Sequence, residues 1–180
     1  MGKALLSLGS NQQPEDNLRL AFDALRTRFG AIAASVVYRF PAVGFNGPDF
    51  LNAAASIDSD LDPVALNDWL HALEDAQGRD RSGPRFSDRT LDIDIVFYDD
   101  LVLDGPGHLQ LPRDELKHAF VLMPLAQIAP HFVDPRSGRT LCALWADSSE
   151  RDVPFAAVFD PHVTESNLPG PNLPGPNPGE

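Results

Sequence analysis

Cationic side chains are scarce in this 180-residue chain: 14 Lys and Arg stand against 26 Asp and Glu, a formal net charge of -12. A surface that grips nucleic acid over a broad front needs net positive potential, so that class is excluded and any phosphate chemistry must come from a local basic patch. Cysteine is nearly absent as well. The single Cys142 leaves no internal disulfide and no cysteine-based zinc cluster, and its apolar neighbours Leu141, Ala143, Leu144 and Trp145 predict a core position in a reducing compartment. No run approaches the roughly 20 apolar residues of a membrane span, and the opening "MGKALLSLGSN" has no long apolar signal core. The chain is therefore expected to be cytoplasmic, with no membrane partner.

What is present suffices for one well-buried domain, since 43% of the residues are hydrophobic. That domain is expected over residues 1–160. Residues 161–180, "PHVTESNLPGPNLPGPNPGE", hold six Pro and three Gly and no periodic apolar face. Pro removes donors and Gly adds unfolded-state entropy, so this segment reads as a disordered tail.

The domain punctuates itself. Lys3 to Leu8 reads as a strand, and Gly9-Ser10-Asn11 as the turn that ends it and caps a helix opened by Pro14. Leu18, Ala21, Phe22, Leu25 and Phe29 recur at helical spacing until Gly30. Ile32 to Phe40 and Phe50 to Asp58 read as strands, the second with Leu51, Ala53, Ala55 and Ile57 on one face and Phe50, Asn52, Ala54 and Ser56 on the other. Asp62 caps a second helix with Pro63 at its first position, and Leu91 to Tyr98 is a fourth strand. The order β-α-β-β-α-β predicts an α+β, ferredoxin-like antiparallel sheet with two helices on one face, the other face free, and a helical extension towards the C-terminus.

On the fourth strand, "RTLDIDIVF", Leu91, Ile93 and Ile95 would face the helices and Asp92 and Asp94 the free side. Side chains two apart on a strand stand about 6.5 Å from each other, which lets two carboxylates share a pair of hard cations about 3.5–4 Å apart. Magnesium suits such oxygen ligands together with substrate phosphates. A solvated acidic strand face is the plainer reading of the same two residues. Arg79, Arg81, Arg85 and Arg89 fall within eleven residues just before this strand. Metal plus forked guanidiniums make a polyphosphate clamp, and a surface network of Arg and Asp pairs is the alternative.

Six segments in order carry a resemblance: "LSLGSN" from Leu6, "YRFPAVG" from Tyr38, "DFLNAA" from Asp49, "LEDAQGRDR" from Leu73, "RTLDIDI" from Arg89 and "AFVLMPLAQIAP" from Ala119. Together they resemble the 6-hydroxymethyl-7,8-dihydropterin pyrophosphokinases of folate biosynthesis over about residues 3–145. The resemblance implies transfer of diphosphate from ATP to the hydroxymethyl group of a reduced pterin, with release of AMP. It implies that Asp92 and Asp94 bind two Mg2+ ions and that Arg79 and Arg89 are the main phosphate-stabilising arginines, assisted by Arg81. It places His71, Glu74 and Ile95 at ATP. Asn52 would hydrogen-bond the pterin, with Val43, Phe50 and Phe120 forming its apolar slot. ATP and the pterin are the implied partners of a monomer.

The chain also departs from the family. Its Gly-Pro-Arg occurs at Gly83 to Arg85, ahead of Phe86-Ser87-Asp88-Arg89, which leaves Arg85 and Arg89 as alternatives for one place. In "LPRDELKHAF" the usual His and Arg positions are altered, with Arg113, Lys117 and His118 as substitutes. That alteration motivates a second reading, a catalytically weakened paralogue that binds nucleotide or pterin as a regulatory or interaction protein. A third is a magnesium-dependent nucleotidyltransferase releasing pyrophosphate.

Overall fold

The computed structural model describes residues 1–42, 46–78 and 90–162. Strand β1, Gly2–Ser10, is followed by helix α1, Pro14–Phe29. Pro at the first turn, Glu15 and Asp16 beside it, and Arg26 and Arg28 in the last turn all match the helix dipole. Gly30 closes the helix at φ 81, where its N–H reaches the Arg26 carbonyl. Ser10 and Asn11 do not cap this helix; the cap is Gln13, in the left-handed region and without a side-chain hydrogen bond.

The expected strand over Ile32 to Phe40 is two short ones, β2, Ala33–Ala34, and β3, Val37–Phe40. The break lies at Ser35, which is fully buried. Its hydroxyl accepts from the Ala54 N–H at 2.9 Å and donates to the Val36 carbonyl at 2.8 Å, standing in for a ladder carbonyl. Strand β4, Phe50–Ser59, and helix α2, Pro63–Ala76, follow. The Asp62 carboxylate accepts from the Ala65 N–H at 2.9 Å, the N-cap the sequence predicts. Strand β5, Asp92–Tyr98, completes the β-α-β-β-α-β unit.

A small hairpin of β6, Leu103–Asp104, and β7, Gln110–Leu111, leads to helix α3, Ala119–Ile128, helix α4, Leu141–Ala146, and strand β8, Ala156–Phe159. The main sheet runs β5-β1-β4-β3-β8, with β2 also on β4, and its pairings are antiparallel. This is the ferredoxin-like order, extended at one edge by β8.

Two cores result. Leu6, Leu8, Leu51, Ala53, Ala55, Ile57, Ile93 and Ile95 meet Leu18, Phe22 and Leu25 of α1 and Leu66 and Leu70 of α2. The other face is not left free along its whole length. Leu5, Ala54, Val96 and Phe97 are covered by Val121, Leu122 and Leu125 of α3 and by Leu141 of α4. A bulge makes this second core: Leu6 pairs with Ile95 but Leu5 with Phe97, so Val96 is the extra residue and the alternation of β5 flips after it. Leu141 is the buried member at the start of α4, whereas Cys142 is exposed, contrary to its expected core position. A helix one face wide cannot bury both neighbours.

Pro161 and His162, the first residues of the Pro/Gly-rich segment, lie against the domain: the Pro161 carbonyl accepts from Arg26 at 3.0 Å and the His162 ring reaches the Ala34 carbonyl at 3.2 Å. Residues 163–180 lie outside the described ones. Among the described residues no helix is long and apolar enough to cross a membrane.

Replacing Ser35 by Ala strands the buried Ala54 N–H, which costs about 1–3 kcal/mol. Urea unfolding of Ser35→Ala should show a lower midpoint by that amount with an unchanged slope.

Candidate active site

The acidic pair stands on an edge strand, and one buried carboxylate holds that edge. Among the described residues β5 pairs with β1 alone, so no described strand takes the N–H groups on its other side. Glu74 of α2, 1% exposed, accepts from the Ile93 N–H at 2.7 Å, between the two aspartates. Ile93 itself is packed beneath the helices, so Asp92 and Asp94 emerge on the opposite face, half-buried. Further ties gather the neighbouring chain ends. The Ser10 hydroxyl donates to the Thr90 carbonyl just before β5, and Asn11 reaches the Pro48 carbonyl, at 3.4 Å, just before β4.

One row crosses the sheet at this level. Asp92 pairs with Gly9 and Gly9 with Asn52. A Cβ at Gly9 would sit 2.9 Å from the Asn52 amide nitrogen and 3.7 Å from the Phe50 ring, so only glycine lets the Asn52 side chain lie over β1. Asn52 is 6% exposed, and its Oδ1 is enclosed with no hydrogen-bond partner among the described residues. An orphaned buried acceptor costs about 1–3 kcal/mol, which marks the place where a donor from a ligand is wanted.

The third wall comes from beyond β7. The Arg113 N–H donates to the Val96 carbonyl at 3.2 Å, which fixes this residue beside β5. Its guanidinium lies 3.2 Å from Asp94 and 3.3 Å from Glu115. Burial and then the adjacent Asp92 carboxylate push Asp94 up to about 7, against the opposing pull of Arg113. Two carboxylates that oppose each other's ionisation in this way, offering oxygen donors only, fit a hard divalent cation. Among the described residues no group of three or more His, Cys, Asp or Glu could hold a metal. Two protein ligands suit magnesium, which keeps waters and takes substrate oxygens for the remainder.

On α3, His118 stacks on Phe120 with ring centroids 5.1 Å apart. Glu150, from the segment after α4, fixes that stack. It meets His118 Nδ1 at 2.9 Å and accepts from the Ala119 N–H at 2.7 Å. Burial alone would raise the Glu150 carboxyl, but the Ala119 N–H and His118 outweigh it and hold it below the usual carboxylate value. Phe120 also borders the cluster of Phe40, Ala119 and Met123, while Phe50 is half-buried opposite Phe40 on the sheet.

The structure thus gathers Asn52, Phe50, Asp92 and Asp94 on the same face of the sheet, and α3 brings Phe120 to that face. His71 lies on α2, which packs against β5, three residues before Glu74. Ile95 is 1% exposed within the helix-side core, so only its main chain is left to face a nucleotide. Glu74, expected at ATP, is enclosed and accepts from the Ile93 N–H, because an edge N–H inside the fold must find an acceptor. Val43, Arg79, Arg81, Arg85 and Arg89 lie outside the described residues. Sequence reasoning missed Glu150 and the clearance at Gly9. Nothing in the local pattern around Glu150 points to α3, whereas Gly9 directly before Ser10 was a visible signal of close approach.

A family model described as 7,8-dihydro-6-hydroxymethylpterin-pyrophosphokinase (HPPK) matches residues 5–130. The chain belongs to this family. A 2-amino-4-hydroxy-6-hydroxymethyldihydropteridine pyrophosphokinase of Pseudomonas aeruginosa is 38% identical over 151 residues, covering 80% of this chain and 90% of that protein. The enzyme of the same name from Synechocystis is 39% identical over 145 residues, covering 78% and 73%. Among solved structures, Plasmodium falciparum HPPK-DHPS with pteroate superposes with a TM-score of 0.67 at 13% identity, which shows the fold. That match takes in 83% of this HPPK chain and 43% of the Plasmodium one, so this chain spans less than half of the longer protein.

The acidic pair makes stability depend on pH. A carboxyl whose value in the fold lies above its ordinary 3.8 stabilises the fold while protonated, and that contribution is lost as pH rises through about 7. Urea unfolding of the chain in chelator is therefore expected to show stability falling between about pH 4 and pH 7. Asp94→Asn should flatten that fall, and saturating Mg2+, which binds the ionised form, should offset it.

Proposed function

We propose that this HPPK-family chain transfers diphosphate from ATP to the hydroxymethyl group of 6-hydroxymethyl-7,8-dihydropterin, and that residues 1–160 carry the activity as a monomer. The observation that carries this reading is the placement of an intact Asp92–Asp94 pair and the orphaned Asn52 acceptor on one face of a sheet that matches the family. A polyphosphate site and a ring-recognition site side by side are what the reaction requires.

Since the products are AMP and a pterin diphosphate, the pterin hydroxyl oxygen attacks the β-phosphorus. The bond between that phosphorus and the oxygen bridging to the α-phosphorus breaks. AMP leaves with the electron pair, and the hydroxyl proton is lost to solvent. Asp92 and Asp94 would hold Mg2+, two ions in this proposal, and the metal's contribution is to neutralise charge on the polyphosphate.

The protein's own groups position the reactants. Arg79 and Arg89, with Arg81, stabilise the charge that develops on the transferred phosphates. His71 and the Ile95 main chain border the nucleotide, and Glu74 acts by holding the strand between the metal ligands. The Asn52 Oδ1 accepts from a ring N–H of the pterin while Phe50, Phe120 and Val43 enclose its apolar faces. Fixing both substrates removes orientational freedom that the uncatalysed encounter would lose.

The test is to incubate the chain with ATP, Mg2+ and the pterin and to separate the nucleotides. Pterin-dependent AMP is expected in step with pterin diphosphate; release of pyrophosphate would instead indicate nucleotidyl transfer, and nucleotide binding without AMP a binding protein. Asp94→Ala should abolish turnover with an unchanged circular dichroism spectrum. Gly9→Ala, which forces the Asn52 amide aside, should raise KM for the pterin by about tenfold or more while leaving KM for ATP near its original value.

A further inference from the structure

Helix α3 opens without a cap of its own: His118, in the cap position, gives the helix no side-chain hydrogen bond. The acceptor comes instead from 31 positions away, since one Glu150 carboxylate oxygen takes the Ala119 N–H at 2.7 Å. Its other oxygen meets His118 Nδ1 at 2.9 Å. Both bonds end on the two residues that precede Phe120, whose ring the His118 imidazole overlies with the planes 10° apart.

The turn that carries Glu150 is itself tied down. The Glu150 N–H donates to the Ser148 hydroxyl at 3.1 Å, and the Glu150 carbonyl accepts from the Val153 N–H at 3.0 Å. Val153 packs on the cluster of Phe40, Ala119 and Met123 that Phe120 borders. The rest of α3 has other supports: Val121, Leu122 and Leu125 are buried in the second core, and the Tyr38 hydroxyl of β3 donates to Gln127 near the far end of the helix at 2.8 Å. What Glu150 controls is the first turn, where the half-buried Phe120 ring has rotamer freedom to lose.

We infer that Glu150 is a positioning residue for the pterin: by fixing His118 against Phe120 it presets the angle of the slot's aromatic wall, so that the segment after α4 sets the affinity for the reduced ring. The inference rests on the reading of Phe120 as a wall of that slot. A flat ligand ring gains most from an aromatic wall already lying at the stacking angle, because none of its binding energy then goes to ordering the wall. The effect falls on one substrate, since the acidic pair that serves the nucleotide stands on β5 rather than on α3.

The experiment titrates the full chain by calorimetry, first with a non-hydrolysable ATP analogue in Mg2+ and then with 6-hydroxymethyl-7,8-dihydropterin. Glu150→Ala is expected to weaken the pterin by about fivefold or more and to leave the analogue within about twofold. His118→Ala leaves the Ala119 bond in place and serves if Glu150→Ala unfolds. It should weaken the pterin similarly, and the double variant no further, because both residues act through one stack. Glu150→Gln keeps an acceptor for the Ala119 N–H and should recover most of the affinity. A Glu150→Ala variant that unfolds more readily yet binds pterin as before would reduce Glu150 to a helix cap and overturn the inference, as would equal losses for pterin and analogue. Phe120→Ala tests the premise: weaker pterin supports the slot, and unchanged pterin affinity removes that wall and overturns the inference. An unaltered chain that binds no pterin would overturn the functional reading and the inference with it.

Discussion

The hydrogen bond from the Ile93 N–H to the buried Glu74 carboxylate determines where the acidic pair can stand. An edge strand is the least constrained part of a sheet, yet here it must present two carboxylates at fixed height and spacing. Glu74 supplies from a helix what a further strand would have supplied, an acceptor at 2.7 Å on the open side. Arg113 fastens the same strand further along, through its N–H on the Val96 carbonyl. The site therefore sits on a strand held from both ends, with its acids turned away from the helices that hold it.

The two faces of the sheet divide the work unevenly. One is filled by α1 and α2 and supplies most of the apolar burial. The other is apolar only where α3 and α4 cover it, and polar where they do not. The bulge at Val96 is the switch between these regimes: before it β5 alternates acid and core, and after it both Val96 and Phe97 enter the second core. Burial and, after it, the adjacent Asp92 carboxylate make the ionised form of Asp94 costly, and its rise to about 7 expresses that cost. Cations from the solvent, from Arg113 or from a substrate complex are the remedies available.

Much of the fold was legible in residue order. Proline at the first turns of both helices, Asp62 as a cap, Gly30 as a stop and the period-two alternation of β4 and β5 each name a local structure, because each acts within a few residues of itself. The misreadings share one cause. Ser35 breaks a strand by bonding to Ala54, Leu141 is drawn inward onto Leu5 and Ala54 of the sheet and leaves its neighbour Cys142 outside, and Gln13 caps where Gly9-Ser10-Asn11 was expected while Ser10 bonds to Thr90. In each case a partner distant in sequence outweighs the local preference.

By itself the sequence determined the element order, the faces of the central strands and the pairing of Asp92 with Asp94 on one side, since alternation along a strand is a property of the chain. The resemblance in six ordered segments likewise identified the family before any geometry was known. Only the tertiary structure decided that Glu74 serves the strand, that Gly9 makes room for Asn52, that Glu150 fixes His118 over Phe120 and that Arg113 lies on Asp94. These are contacts between residues 19 to 43 positions apart, and no local periodicity encodes which of many carboxylates or guanidiniums the fold will bring together.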